Sequence, residues 1–245
     1  GFVTGVLDFL ETVANDNDGV TFDGLDLDWE PHNDNGTPWA FLDESGAADT
    51  LQNMLDTAPL LKAGLQAQYG ADFLLTAAWP ASPTVITKAE EVLPGFWQQW
   101  LNQMTGVNLM TYDYHGDFDS PKITNFNAPT YYDPAQPENV SNRETFNAQS
   151  TLEAYQAALN ADGMQQLNLG IPFYGRGLAD MAAGSEVCPG TYQTFSSMWT
   201  NANHGDGMFS NTDIEALISY GTLTACYDPA AGQWTAYGQE DDQNV

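Results

Sequence analysis

Basic side chains are what this sequence has least of. Five Lys and Arg stand against 33 Asp and Glu, a formal net charge of −28 over 245 residues. That imbalance excludes nucleic acid as a partner, because phosphate binding and counterion release require clustered Lys and Arg. It argues equally against an anionic membrane surface, and it leaves a neutral or cationic substrate. Cysteine is scarce too: Cys188 and Cys226, both in the last quarter of the chain, read as one disulfide or as two buried thiols. No run approaches the roughly 18 consecutive apolar residues that a spanning helix needs. No secretory signal pattern is visible either. The chain opens on GFVTGVLDFLETV, a helix already under way, as expected of a piece of something longer.

What is present suits a large core. Apolar residues make up 42% and aromatics 12%, with 7 Trp, which exclude large-scale disorder and also suit sugar-stacking platforms. The length fits one large domain, or most of an α/β barrel. Apolar residues at Val3, Val6, Leu7, Leu10 and Val13 recur at helical spacing. The NDNDG that follows superficially suggests a calcium loop, but the loop template requires an acid at position 14, which is Ala, and a Glu at position 25, which is Leu. A solvated turn is the better reading. Further on, the pattern predicts strands over VTFDGLDLDWE, FLLTAAWP (73–80), GVNLMTYDY (106–114) and LNLGIPFYGRG (167–177). Helices are predicted over 47–69, interrupted near Pro59, over 87–103 with Trp97 and Trp100 in the core, and over 151–163. A long loop, 115–149, is rich in Asn, Pro and Tyr. Strand alternating with helix predicts βαβ units and a parallel sheet. Residues 178–245 change character, being rich in Gly, Thr and Tyr, and TLTACYD with GQWTAYG predicts a hairpin turning near Pro229.

The stretch DGLDLDWE, residues 23–30, holds four carboxylates in eight positions. Side chains alternate between the faces of a strand, so Asp26, Asp28 and Glu30 share one face while Leu25, Leu27 and Trp29 share the other. Asp23 falls on the face opposite the three acids, where a structural role such as capping a turn is expected. The apolar face can pack under helices. In a barrel the acidic face points inward, and Glu30, just before Pro31, stands at the carboxyl end of its strand, where barrel active sites lie. Same-face neighbours lie about 6–7 Å apart. Like charges at that separation raise one another's pKa, so the stack is a device that keeps a proton on Glu30 as a general acid. A metal site would ask for His or further acids nearby, and His32 is the sole neighbour of that kind; no metal is expected.

DGLDLDWE resembles the DxxDxDxE signature of glycoside hydrolase family 18, the chitinases. Two further segments resemble that family in order: MTYDYHG (110–116), similar to its sixth-strand MxYD, and GIPFYGRG (170–177), similar to its seventh-strand YGR. The run HGDFDSPKITNFNAP looks like a loop of bacterial secreted chitinases that carry an α+β insertion after strand seven. The resemblance implies a (β/α)8 TIM barrel, here incomplete and covering the region of strands four to seven. Residues 1–177 would form the partial barrel and 178–245 the α+β insertion. Strands one to three would precede Gly1, and strand eight would follow Val245.

The family further implies substrate-assisted retaining catalysis, an exception to the two-carboxylate scheme. By resemblance Glu30 protonates the glycosidic oxygen, Asp28 orients the substrate's acetamido group, and Asp26 shares a proton with Asp28. Tyr112 would donate its hydroxyl to the acetamido carbonyl, and Met110 and Asp113 would line the sugar pocket. Tyr174 and Arg176 match YGR, with Arg176 fixing a carboxylate or a sugar hydroxyl. Phe118 reads either as a stacking platform on the leaving-group side or as loop packing. The expected partner is chitin or chitooligosaccharide, bound by a secreted, monomeric enzyme that needs no cofactor. Two other readings share the motif: an endo-β-N-acetylglucosaminidase acting on N-glycans, and a non-catalytic chitin-binding protein, although such lectins lose the acid at the position of Glu30.

Self-repulsion among so many acids is relieved by salt. Stability is therefore expected to rise from low to molar NaCl, as in a protein from a salt-rich habitat; a urea midpoint that fails to increase over that range would count against it.

Overall fold

A computed structural model describes residues 1–181, 188–201, 203–240 and 243–244. The chain forms two compact units. The first comprises Gly1–Pro80, Thr84–Leu109 and Ala154–Leu169; the second comprises Ala81–Pro83, Met110–Glu153 and Gly170–Val245. Residues 182–187, 202, 241, 242 and 245, which fall in the segment expected as an insertion, lie outside the described residues. No described helix is long and apolar enough to cross a membrane.

The first unit is built on four parallel strands in the order β1-β2-β3-β4: β1 Gly24–Leu27, β2 Leu74–Trp79, β3 Gly106–Leu109 and β4 Leu167–Leu169. Helices supply the crossovers, which is the βαβ connectivity of a TIM-barrel-type fold, with the barrel not closed among the described residues. The register sets Asp26 beside Thr76 and Asn108 beside Asn168. Gly24 allows the tight approach of β1 to β2, since a Cβ there would sit 2.7 Å from that of Leu74. β1 and β4 are the sheet's edges. Phe2 and Phe9 on helix α1 (Phe2–Asp16), and Val20 and Phe22 in the lead-in to β1, are large exposed apolar residues.

The core of this unit is aromatic. Trp79 of β2 packs against Trp97, Trp100 and Tyr155, with ring centroids 4.9, 5.5 and 5.4 Å away, and all four side chains are fully buried. Tyr155 meets its polar requirement by donating its hydroxyl to the carbonyl of Pro80 at 2.8 Å. The burial expected for Trp97 and Trp100 is therefore observed.

Three helix expectations need correction. Helix α2 (Ala47–Tyr69) is continuous through Pro59. The lost hydrogen bond and ring clash cost about 3 kcal/mol, but Leu51, Met54, Leu55, Ala58, Leu61 and Leu65 bury one face on both sides of the proline, and each large side chain so buried contributes about 1.5–3 kcal/mol. The helix predicted over 87–103 is instead two, α3 (Pro83–Val92) and α4 (Phe96–Leu101), because Pro94 ends the first and Gly95 adopts φ 79°. The helix predicted over 151–163 likewise divides into α5 (Ala148–Ala158) and α6 (Ala161–Met164). There Asn160 acts as an N-cap, its side-chain oxygen accepting from the Gly163 N–H at 2.7 Å.

The strand predicted over 167–177 also divides. β4 ends at Leu169, Pro172 interrupts the donor row, and Tyr174–Arg176 forms β5, which pairs antiparallel with β8 (Met208–Ser210) in the second unit. That unit further holds β6 (Leu178–Ala179) paired with β7 (Ser197–Met198), helix α7 (Asn211–Ser219), and the antiparallel strands β9 (Leu223–Asp228), β10 (Gln233–Glu240) and β11 (Gln243–Asn244). β9 and β10 are the predicted hairpin. Its turn is tied to the long loop: Thr130 donates its N–H to the carbonyl of Ala231 at 2.8 Å and its hydroxyl to that of Gly232 at 3.1 Å. Ala179, Trp199, Phe209 and Leu223 form a core beneath α7. Cys188, fully buried, is bonded to Cys226 of β9, so the pair is a disulfide and not two thiols.

Closing a loop of this size stabilises a fold by about 2–4 kcal/mol. Replacing both cysteines by Ser is expected to lower Tm by roughly 5–15 °C, and a reductant is expected to shift the wild type similarly while leaving the Ser variant unmoved.

Candidate active site

Asp26, Asp28 and Glu30 are exposed, while Leu27 is buried and Leu25 and Trp29 are half-buried. The alternation that begins in β1 thus persists to Glu30, although the hydrogen-bonded strand stops at Leu27. Trp29 is held from the apolar side by a stacked contact with Phe2, ring centroids 5.7 Å apart. Asp26 is tied to two other strands. Its Oδ1 accepts from the Thr76 hydroxyl and, at 3.1 Å, from the amide nitrogen of Asn108. Glu30 is pushed above its ordinary value of 4.5, first by partial burial and then by the charge of Asp28. The backbone carbonyl of Asp23 accepts from the Leu74 N–H at 3.0 Å, and its side chain shows no hydrogen bond among the described residues.

The second cluster lies in the second unit, in residues that follow β3 in the chain. Tyr112 donates its N–H to the Met110 carbonyl at 2.8 Å. The tight bend carries Asp113 into the left-handed region at φ 57°, where Asn127 receives its N–H at 3.1 Å. Asp113 is gripped twice by Arg176, Nε to Oδ1 at 2.9 Å and Nη2 to Oδ2 at 2.8 Å, and Tyr174 donates its hydroxyl to the same Oδ1 at 2.7 Å. This bidentate pair is the strong form of an ion pair. Burial raises the Tyr174 hydroxyl, and its bond to the Asp113 carboxylate raises it further, so the group is held as a donor. The Arg176 guanidinium is raised chiefly by its bond to Asp113. The ring of Tyr112 meets that of Tyr174 edge-on at 6.3 Å. Arg176 also lies over Phe118, 5.2 Å from the ring centroid. Gly116 makes room for both, since a Cβ there would sit 2.8 Å from the Phe118 ring and 2.9 Å from the Arg176 stem. Phe118 therefore packs on Arg176 while remaining 56% exposed.

Three residues in contact with these groups were not singled out from sequence: Thr76, Asn108 and Asn127. The first two carry a readable signal. Each is a polar side chain at an alternate position of an otherwise apolar strand, FLLTAAW or GVNLM. Asn127, in a loop, carries none. Among the described residues, no group of three or more His, Cys, Asp or Glu could hold a metal ion.

The family model for glycosyl hydrolases family 18 matches residues 1–244. The chain belongs to this family. The family 18 chain is 33% identical over 223 residues to chitinase A1 of Niallia circulans, covering 88% of this chain and 28% of that protein. It is similar in structure to catalytic domain 2 of the Group II chitinase of Ostrinia furnacalis, with a TM-score of 0.64 and 27% identity, covering 99% of this chain and 56% of that one. The same domain, as a point mutant in complex with penta-N-acetylchitooctaose (NAG)5, superposes with a TM-score of 0.65 at 27% identity. The family 18 chain thus spans less than a third of the Niallia relative and just over half of the Ostrinia domain.

A carboxyl whose folded pKa is raised binds its proton more tightly folded than unfolded, so its contribution to stability is lost as pH rises through that interval. Glu30→Gln is therefore expected to raise Tm near neutral pH, and the gain is expected to vanish below about pH 4, beneath the ordinary value of 4.5. Thermal melts across pH check both limbs.

Proposed function

We propose that this family 18 chain is the catalytic part of a chitinase, cleaving β-1,4 linkages between N-acetylglucosamine units with retention of configuration. The observation that carries the reading is the Glu30 carboxyl: partly buried and set beside Asp28, it keeps a proton further up the pH range, within an acidic motif that resembles the family's.

In the proposed reaction Glu30 delivers that proton to the glycosidic oxygen as the bond to the anomeric carbon breaks. The carbonyl oxygen of the substrate's own 2-acetamido group attacks the anomeric carbon, forming an oxazolinium ion. Asp28 accepts a hydrogen bond from the acetamido N–H and stabilises the positive charge that develops there. Asp26 takes part by sharing a proton with Asp28. Tyr112 donates its hydroxyl to the acetamido carbonyl. Water then attacks the anomeric carbon from the face the leaving group vacated, the bond from that carbon to the acetamido oxygen breaks, and Glu30 takes a proton from the water. Met110 and Asp113 line the sugar pocket, and Tyr174 and Arg176 hold Asp113 in place. Phe118, rigidified on one face by Arg176, offers its exposed face to a sugar ring.

A neutral polymer agrees with a charge of −28, which would repel an anionic one. The (NAG)5 complex of the Ostrinia domain supports the same substrate class. The disulfide supports function outside the cell, in an oxidising compartment.

The test is hydrolysis of (NAG)5 by the wild type and by Glu30→Gln. The variant is expected to lose roughly 10²–10⁴-fold in kcat, and the wild type is expected to release the β-anomer first, read by proton NMR. Equal rates, or an inverted product, would overturn the mechanism. Binding by both proteins without cleavage would favour a lectin, and release of glycan from a high-mannose glycoprotein would favour the endo-β-N-acetylglucosaminidase reading.

A further inference from the structure

Each of the four parallel strands contributes one polar side chain to a continuous row: Asp26 from β1, Thr76 from β2, Asn108 from β3 and Asn168 from β4. The row is directional. Asn168 donates its amide nitrogen to Asn108 Oδ1 at 3.3 Å, and Asn108 donates its own to Asp26 Oδ1 at 3.1 Å. A carboxylate only accepts, so Asn108 must turn its nitrogen toward Asp26, and its oxygen is left facing Asn168. Asn168 therefore locks the orientation of Asn108. With Thr76 donating as well, Asp26 Oδ1 carries two donors, which leaves Oδ2 as the oxygen for the proton that Asp26 shares with Asp28 in the reaction proposed above.

We propose that Asn108, locked by Asn168, is a positioning residue that fixes Asp26 so that only Oδ2 can exchange a proton with Asp28. The proposal rests on the chitinase reading above for its effect on rate, and on the geometry alone for the contact. Asn108 and Asn168 are exposed at the open end of this row. Hydrogen bonds at such positions add little to stability, so a purely structural role for the row is weak. What the row does is hold one carboxyl in one orientation, against the repulsion of the acids that follow it in the motif. Asp28 can then move toward Glu30 while Asp26 stays.

The test uses the full chain with three substitutions, Asn108→Ala, Asn108→Asp and Asn168→Ala, and the double variant Asn108→Ala/Asn168→Ala. On (NAG)5, Asn108→Ala is expected to lose about 10–100-fold in kcat, the scale of a small misplacement of a reacting group, with KM within about twofold. Its pH–rate profile is expected to change shape, and its Tm to stay near that of the wild type. Asn108→Asp keeps the shape and removes the donor, so it is expected to be at least as impaired; wild-type activity there would overturn the proposal. Asn168→Ala is expected to lose less than Asn108→Ala, and the double variant is expected to match Asn108→Ala, because Asn168 acts only through Asn108. Additive losses would overturn that link.

A readout independent of activity separates this proposal from the chitinase reading. The side-chain ¹⁵N–¹H₂ signal of Asn108, assigned from the Asn108→Ala spectrum, is expected to move in both Asp26→Ala and Asn168→Ala proteins. If the wild type proves inactive the chitinase reading fails, and the NMR shifts still decide the contact: an Asn108 signal unmoved in both variants overturns it.

Discussion

Three carboxylates on one face of β1 and the segment that continues it are the constraint around which the first unit is arranged. Carboxylates so placed repel one another, and the charge of Asp28 acts on Glu30. The fold answers differently at each level. At the base, Asp26 is satisfied by donors from two other strands, Thr76 and Asn108. At the top, Glu30 meets partial burial and the neighbouring charge of Asp28 by holding its proton more tightly. In the proposed reaction, the gradient from a hydrogen-bonded acid to a proton-holding one is what makes the stack useful, since proton transfer requires groups whose environments differ. Gly24 is part of the same arrangement, because it lets β2, and with it Thr76, approach β1 closely.

The scarcity of basic residues sharpens the role of the few that exist. Arg176 is committed to Asp113 through a two-point grip and also covers Phe118. One guanidinium thereby orders a carboxylate held at a positive φ, a tyrosine hydroxyl bonded to the same carboxylate and an exposed ring. Lys at this position would supply a point charge without the fork. In a chain with so large an excess of acids, an ion pair of this geometry is a specific investment of one of five available cations.

Much of this was legible in the order of the residues. The two-residue alternation in DGLDLDWE placed the acids on one face, and the exposure of Asp26, Asp28 and Glu30 against the burial of Leu27 follows it. The parallel βαβ pattern, the buried Trp97 and Trp100 and the β9–β10 hairpin followed from periodicity in the same way. Element boundaries did not. Pro59 reads as a break, yet it sits inside α2 because apolar residues on both sides of it reach the core. GIPFYGRG reads as one strand with LNL, yet Tyr174–Arg176 pairs antiparallel with β8, thirty-odd residues further along the chain.

The sequence by itself determined which acids share a face and which partners the charge permits: spacing decides the first and composition the second. Both are local or additive properties, so they can be read without coordinates. Only the tertiary structure decided that Cys188 meets Cys226, that Asp113 is the partner of Arg176, and that Asn108 and Asn168 extend the acidic row across four strands. Those are contacts between residues far apart in the chain. Their existence depends on register and on which strand lies beside which, and the energy that selects a register is summed over the whole packed sheet and its core.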